Sequence, residues 1–198
     1  MITNLSRIWN KIVNILSTIY CNLILRIDGV ILAKKVRFKK VPHIYKAKGA
    51  EISIGERTTI NSNNFGYHLN MFSKCKLQAD REGAVITIGN NCRIHGTCIH
   101  AFKSISIGNN CLIAANTNII DANGHKLSFD DPENRINTTD DGKEIIIESN
   151  VWIGANCLIL GGVRIGEGSV IAANTIVNSD VPPRCIFAGN PGKIIKKY

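Results

Sequence analysis

Acidic residues are nearly missing from the first quarter of this 198-residue chain. Residues 1–48 hold ten Lys and Arg (Arg7, Lys11, Arg26, Lys34, Lys35, Arg37, Lys39, Lys40, Lys46, Lys48) against one acid, Asp28. Residues 49–198 hold fourteen of each sign, so the net charge of +9 belongs to the N-terminal quarter and the remainder is neutral. Low-complexity tracts are also missing. With 44% hydrophobic residues the chain is long enough for one domain with a continuous core, and nothing in it marks a second. The seven cysteines lack any metal-type spacing such as C-x-x-C, which predicts reduced thiols and a cytoplasmic protein. No nucleic-acid partner is expected.

What the chain does contain is a period of six. From Ile147 to Pro182, Ile147, Ile153, Ile159, Ile165, Ile171 and Val177 open successive hexads, and Val151, Cys157, Val163, Ser169, Thr175 and Val181 fill the fifth place in each. Six matches neither the 3.6 of a helix nor the 2 of an ordinary strand, so the run must be a coil whose corners recur at that interval. The reading is an all-β protein, a left-handed parallel β-helix in which each large aliphatic stacks on its counterpart one coil away and small residues sit at the corners. Cys92, Cys98, Cys111 and Cys157, each four residues after an opening isoleucine (Ile88, Ile94, Ile107, Ile153), read as small buried hydrophobes at those corners. Cys21, Cys75 and Cys185 stand outside that pattern.

Residues 1–29 form a separate N-terminal segment. From Leu5 to Ile27 apolar residues keep helical spacing, with Asn4, Arg7, Lys11, Asn14, Thr18, Asn22 and Arg26 on the other face, which predicts an amphipathic α-helix. Polar residues interrupt every turn, so it does not read as a transmembrane span, and it lacks the small-residue site of a cleaved signal peptide. Two readings stand: the apolar face packs on the solenoid or a neighbouring subunit, or residues 5–40 make peripheral contact with the inner face of an anionic membrane, where each base adds roughly 1 kcal/mol of attraction.

The solenoid is expected over residues 30–182, with irregular early coils, a poorly patterned stretch at 61–83 and a one-residue slip before Ile107. Residues 183–198 form a C-terminal tail. Between Ile119 and Ile147 lie 28 residues, too many for one turn of the coil. Their polar middle, 121–143, must leave the prism as an extruded loop, and long loops on rigid scaffolds tend to carry function. This one holds His125.

Four motifs in order carry a family resemblance: Ile119-Ile-Asp-Ala-Asn-Gly-His125, Asn150-Val-Trp-Ile-Gly-Ala155, Ile171-Ala-Ala-Asn-Thr175 and Ala188-Gly-Asn-Pro-Gly-Lys193. The chain resembles the hexapeptide-repeat acyltransferases, in the branch of maltose, galactoside and xenobiotic acetyltransferases and the O-acetyltransferases of polysaccharide synthesis. The likeness covers residues 84–198 closely and 30–83 loosely. It implies a homotrimer with each active site between two parallel prisms, acetyl-CoA in the groove, a sugar or sugar-conjugate acceptor and no metal. His125 is then the general base, because a neutral imidazole can take the proton of a hydroxyl as it attacks the thioester. Asp121 is the carboxylate nearest in sequence for orienting that ring, with Asp130, Asp140 and Asp141 also on the loop.

The same resemblance puts Trp152, Ala155, Ala173, Asn178, Lys193 and Lys196 against the cofactor, the small residues beside pantetheine and the lysines toward phosphate. On the acceptor side the family's pattern fails: His95 and Phe102 or Lys103 stand where maltose and galactoside enzymes have Asn and Asp. His95, His100 and Asn123 are the acceptor-side candidates. Sugar O-acetylation in making a surface polysaccharide or glycolipid is the expected activity, with N-acetylation of an amino sugar as the alternative. A rival from another class is a zinc hydratase resembling the γ-type carbonic anhydrases, using His95 and His100 at their five-residue spacing with His68 as a third ligand. A non-catalytic trimeric scaffold is the last alternative.

Overall fold

The computed structural model describes residues 2–198. A single helix, α1 (Ile2–Ile27), precedes six coils of three short strands. In chain order these are β1 (Ile31–Leu32), β2 (Arg37–Lys39) and β3 (His43–Lys46); β4 (Glu51–Ile54), β5 (Thr59–Asn61) and β6 (Lys76–Ala79); β7 (Val85–Ile88), β8 (Arg93–His95) and β9 (Cys98–Ala101). There follow β10 (Ser104–Ile107), β11 (Leu112–Ile113) and β12 (Asn118–Ile120); β13 (Ile145–Ile147), β14 (Trp152–Ile153) and β15 (Leu158–Leu160); and β16 (Arg164–Ile165), β17 (Val170–Ile171) and β18 (Ile176–Val177). Every third strand pairs in parallel, giving three flat faces: β1-β4-β7-β10-β13-β16, then β2-β5-β8-β11-β14-β17, then β3-β6-β9-β12-β15-β18. This is the left-handed parallel β-helix that the hexads predict.

Inside, one aliphatic per strand stacks on the next. Ile60, Ile94, Ile113, Ile153 and Ile171 align along the second face, and Leu77, Ile99, Ile119, Ile159 and Val177 along the third. All are fully buried. The fifth-place residues prove to be more than small. Cys92, Cys111 and Cys157 donate their thiols to the carbonyls of Gly108, Glu148 and Ala172 one coil on, at 3.1–3.2 Å, and Thr117 and Ser169 donate hydroxyls to Gly154 and Pro182 in the same way. These five corner residues each satisfy a carbonyl that the turn leaves out of the ladder, whereas Val151, Val163 and Val181 at equivalent places only fill space. All seven cysteines are free.

The one-residue slip before Ile107 shows in the register, which sets Ile107 beside Ile88, one residue beyond three hexads. Within that interval Ile94 to Ile99 is a step of five, so Thr97 takes the buried corner and Cys98 is only partly buried, a correction to its assignment as a core residue. Asparagines turn many of the corners. Asn91, Asn110 and Asn150 adopt φ of 56–64°, a left-handed conformation Asn tolerates because its short side chain bonds locally. Their amides form a ladder, Asn91 to Asn110 and Asn110 to Asn150, both at 3.0 Å.

Both ends of the column are closed. At the far end the tail is a hairpin, β19 (Cys185–Gly189) and β20 (Gly192–Lys197), that extends the second face. At the near end α1 lies across the free edge of β2. Thr18 Oγ1 stands 3.0 Å from both the N and the O of Phe38, accepting from its N–H, and Asn22 donates to Val36 O at 3.2 Å. Asn63 of the second coil donates to both Asn10 and Asn14. The expectation that the helix seats its apolar face on its own solenoid is corrected: an open strand edge needs hydrogen-bond partners, so Asn10, Asn14, Thr18 and Asn22 turn inward beside Cys21 and Leu25, and most of the large aliphatics face out.

Ile159 touches the stacked aliphatics on both sides and is fully buried. Ile159→Ala should lower unfolding free energy by about 2–5 kcal/mol in urea denaturation, since the coils above and below cannot collapse into the gap.

Candidate active site

The loop that leaves between β12 and β13 closes on itself. Lys143 N donates to Asp121 O at 2.7 Å, so the excursion departs and returns at one point on the corner between the third and first faces. Gly161 makes room for that point: a Cβ there would lie 2.3 Å from Asp121 O. Asp140 fastens the base, accepting from Asn123 N at 2.8 Å and Gly142 N at 3.1 Å, and these N–H groups hold its carboxyl below the usual range. Arg81 adds a bond to Asp140 O and lies over the Phe102 ring at 3.6 Å.

Within the loop, His125 Nδ1 lies 2.9 Å from Thr138 O. A carbonyl oxygen only accepts, so Nδ1 carries the ring hydrogen and the Nε2 lone pair of the neutral imidazole is available to a substrate. Thr138 is fixed in turn: its hydroxyl donates to Arg135 O at 2.7 Å and accepts from Lys126 N at 3.0 Å, capping the 3₁₀ turn Glu133–Asn137. A backbone carbonyl thus does the orienting expected of a carboxylate. Asp121 is otherwise employed. It is buried, and its two oxygens accept from Phe102 N and Lys103 N, each at 2.7 Å. Burial pushes its carboxyl upward, with those N–H bonds opposing. Its assignment to His125 is corrected to bracing the corner from which the loop springs.

A second constellation lies elsewhere, on the outside of the second face. A groove of about 630 Å³ is lined by Trp152, Ala155, Ala173, His95 and the Tyr67–Leu69 segment. Trp152 is 54% exposed at its centre. The strand register carries Trp152 onto Val170, Ile186 and Lys196 in one outward column. Three strand spacings, roughly 14 Å, therefore separate the backbones of Trp152 and Lys196 along one face. Lys193 and Lys196 are exposed on β20, with Lys196 Nζ 4.4 Å from the Tyr198 ring, and Asn178 is exposed just past β18.

His95 stacks on Tyr67 at 4.6 Å, and its Nδ1 lies 3.0 Å from the Asn61 amide nitrogen. Burial, then the charges of Lys39 and Arg93, lower its pKa to about 4. His100 is on the third face, 3.1 Å from Asp80 and edge-on to Phe102, close to the loop base with Asn123. The predicted site residues therefore divide between two places on one prism: Trp152, Ala155, Ala173 and His95 in the second-face groove, and His125, Asn123, Asp121 and His100 at or near the loop. Sequence reasoning missed Tyr67, Asn61 and Thr138; the first two sit in or beside the stretch without hexad pattern, and the third acts through its backbone. Among the described residues no three His, Cys, Asp or Glu converge as a metal would require. His95 and His100, paired in the zinc reading, face different partners on different faces.

Residues 144–179 match the family model of the bacterial transferase hexapeptide (six repeats), and residues 85–120 that of the hexapeptide repeat of succinyl-transferase. The chain is 34% identical over 141 residues to an Escherichia coli K12 protein named as a lipopolysaccharide biosynthesis O-acetyl transferase, WbbJ, covering 68% of this chain and 71% of that one. Among solved structures, the hexapeptide-repeat acetyltransferase VCA0836 of Vibrio cholerae, complexed with acetyl coenzyme A, aligns with a TM-score of 0.55 at 26% identity over 88% of this chain and 74% of its own. The N-acyltransferase AntD of Bacillus cereus shares the fold with a TM-score of 0.65 at 22% identity over 87% and 86%. Repeats, motifs and a relative matched across most of its length agree, and the chain belongs to the hexapeptide-repeat transferases, as an acyltransferase of that family.

Proposed function

We propose that this protein is an acetyl-CoA-dependent O-acetyltransferase that modifies a sugar hydroxyl in the making of a surface polysaccharide or glycolipid. The observation that carries the reading is the His125 ring, held through Nδ1 by Thr138 O on an extruded loop with Nε2 unengaged. In the reaction Nε2 takes the hydroxyl proton as the oxygen attacks the thioester carbonyl. The tetrahedral intermediate then collapses, the C–S bond breaks, and the thiolate leaves as CoA with the proton passed on from the imidazolium. The likeness to WbbJ supports an O-acetyl product and a saccharide acceptor.

The working unit is a homotrimer. The loop leaves one corner of the prism and the groove lies on its second face; the loop tip leaves Leu127, Phe129 and Ile136 60–80% exposed, and the groove leaves Trp152 more than half exposed. A side-by-side neighbour covers both and sets His125 of one chain over the groove of the next. The cofactor lies along the groove with its thioester end at Trp152, its pantetheine arm past Ala155 and Ala173 and its phosphates toward Lys193 and Lys196. Asn178 lies at the same end of the column. His95 and Tyr67 line the acceptor end. Seven free thiols support a reducing, cytoplasmic setting.

His125→Ala should cut kcat by about 10²- to 10⁴-fold in a thiol-release assay with acetyl-CoA and a panel of sugars and nucleotide sugars. An acetyl product resistant to mild alkali would replace the hydroxyl acceptor with an amine. A complementation experiment tests the shared site: His125→Ala and Ala173→Trp protomers, each inactive alone, should regain about a quarter of wild-type activity when mixed equally, because each mixed trimer rebuilds one intact pairing. A site contained in one chain would regain none. The His95 ring should titrate near pH 4 by NMR, against an ordinary 6.5. Since the folded value is depressed, its contribution to stability is complete above pH 6.5 and fades as pH falls toward 4.

A further inference from the structure

We infer that α1 is an interfacial anchor that lies flat on an anionic lipid surface, apolar face down, with the near end of the column against the bilayer. The inference concerns a different surface from the reaction site and holds whatever the acceptor is. It starts from the inverted amphipathicity of the helix. Thr18, Asn22, Asn10 and Asn14 are committed to the solenoid, and Ser17 and Cys21 are buried against it. The opposite face therefore carries Ile8, Trp9, Ile12, Leu16, Ile19 and Leu23, each 42–65% exposed. At 1.5 Å per residue this stripe runs along a helix of about 39 Å, far more than a scatter of single surface hydrophobes.

Charge selects the occupant. Arg7 and Lys11 are exposed on the helix, and the first coil adds exposed Lys34, Lys35, Lys39 and Lys40 beside it. With ten bases against one acid over residues 1–48, a second copy of this surface would meet it with like charge, whereas an anionic headgroup layer is complementary. Side-by-side association of prisms also leaves their ends uncovered. The helix is long and apolar enough to cross a membrane by length and composition, but upright insertion would break the bonds of Thr18 and Asn22 to the edge of β2. Lying flat keeps them and buries the apolar stripe. The anchor also sits close to the groove: Asn63, which binds Asn10 and Asn14, donates its N–H to Asn61 Oδ1, and Asn61 contacts His95.

The test uses the full-length protein in flotation with phosphatidylcholine vesicles, with and without phosphatidylglycerol. Wild type should partition to the anionic vesicles at least about tenfold better than to neutral ones, and high salt should reduce that preference. Ile12→Gln/Leu16→Gln/Leu23→Gln should lose binding by at least about tenfold while keeping helix content and assembly size, because Gln retains helix propensity and the substituted positions face outward. Arg7→Gln/Lys11→Gln/Lys34→Gln should lose the anionic preference alone. Wild type that stays with the protein fraction overturns the inference, as does equal binding to neutral and anionic vesicles. So does a triple-Gln protein that binds like wild type, or one whose assembly falls apart, which would assign the face to a second copy. None of these readouts depends on acetyl transfer.

Discussion

A coil of this column has no core of its own. Its three strands are two to four residues long, its inward aliphatics contact only the coils on either side, and its backbone groups bond up and down the axis. Every coil therefore needs two neighbours, and the first and last need substitutes for the missing one. The hairpin β19–β20 supplies the substitute at one end and α1 at the other. From that requirement follows the orientation of the helix. To close a strand edge it has to present hydroxyls and amides, and presenting them leaves its hydrocarbon outside.

The same stiffness explains where chemistry is placed. A column of flat faces offers little concavity to surround a substrate, so the two elements that break the pattern are the candidate site. The loop at 121–143 is anchored at a single point and organised internally by Thr138, Asp140 and Arg135. The groove takes its depth from the Tyr67–Leu69 segment standing beside an otherwise flat second face. The His125 imidazole needs no carboxylate because a carbonyl fixes its tautomer equally well without adding a charge. Asp121, freed from that task, binds two corner N–H groups that would otherwise be orphaned where the chain departs.

How legible each part was depended on whether it repeats. The hexads from Ile147 to Val177, the extruded loop and the helix could be read because each is a period or a break in one. Residues 61–83 carry no clear period, and Tyr67 and Asn61 are hidden with them. The corner cysteines were read as filler because size was the visible constraint, while their thiol bonds to the next coil depend on a carbonyl some fifteen to forty residues away in sequence. The misplacement of Cys98 came from one five-residue step, which shifts every inward position after it until the count is reset.

Composition and spacing alone determined the three-sided coil, the departure of the loop that carries the imidazole and the basic, amphipathic start of the chain, because each is a regularity measured along the sequence. Only the tertiary structure decided which partner holds His125, that His95 and His100 face different surroundings, and which way the helix turns its polar side. Those outcomes rest on hydrogen-bond vacancies that appear only once strands are stacked, and a linear pattern does not record where a vacancy will open.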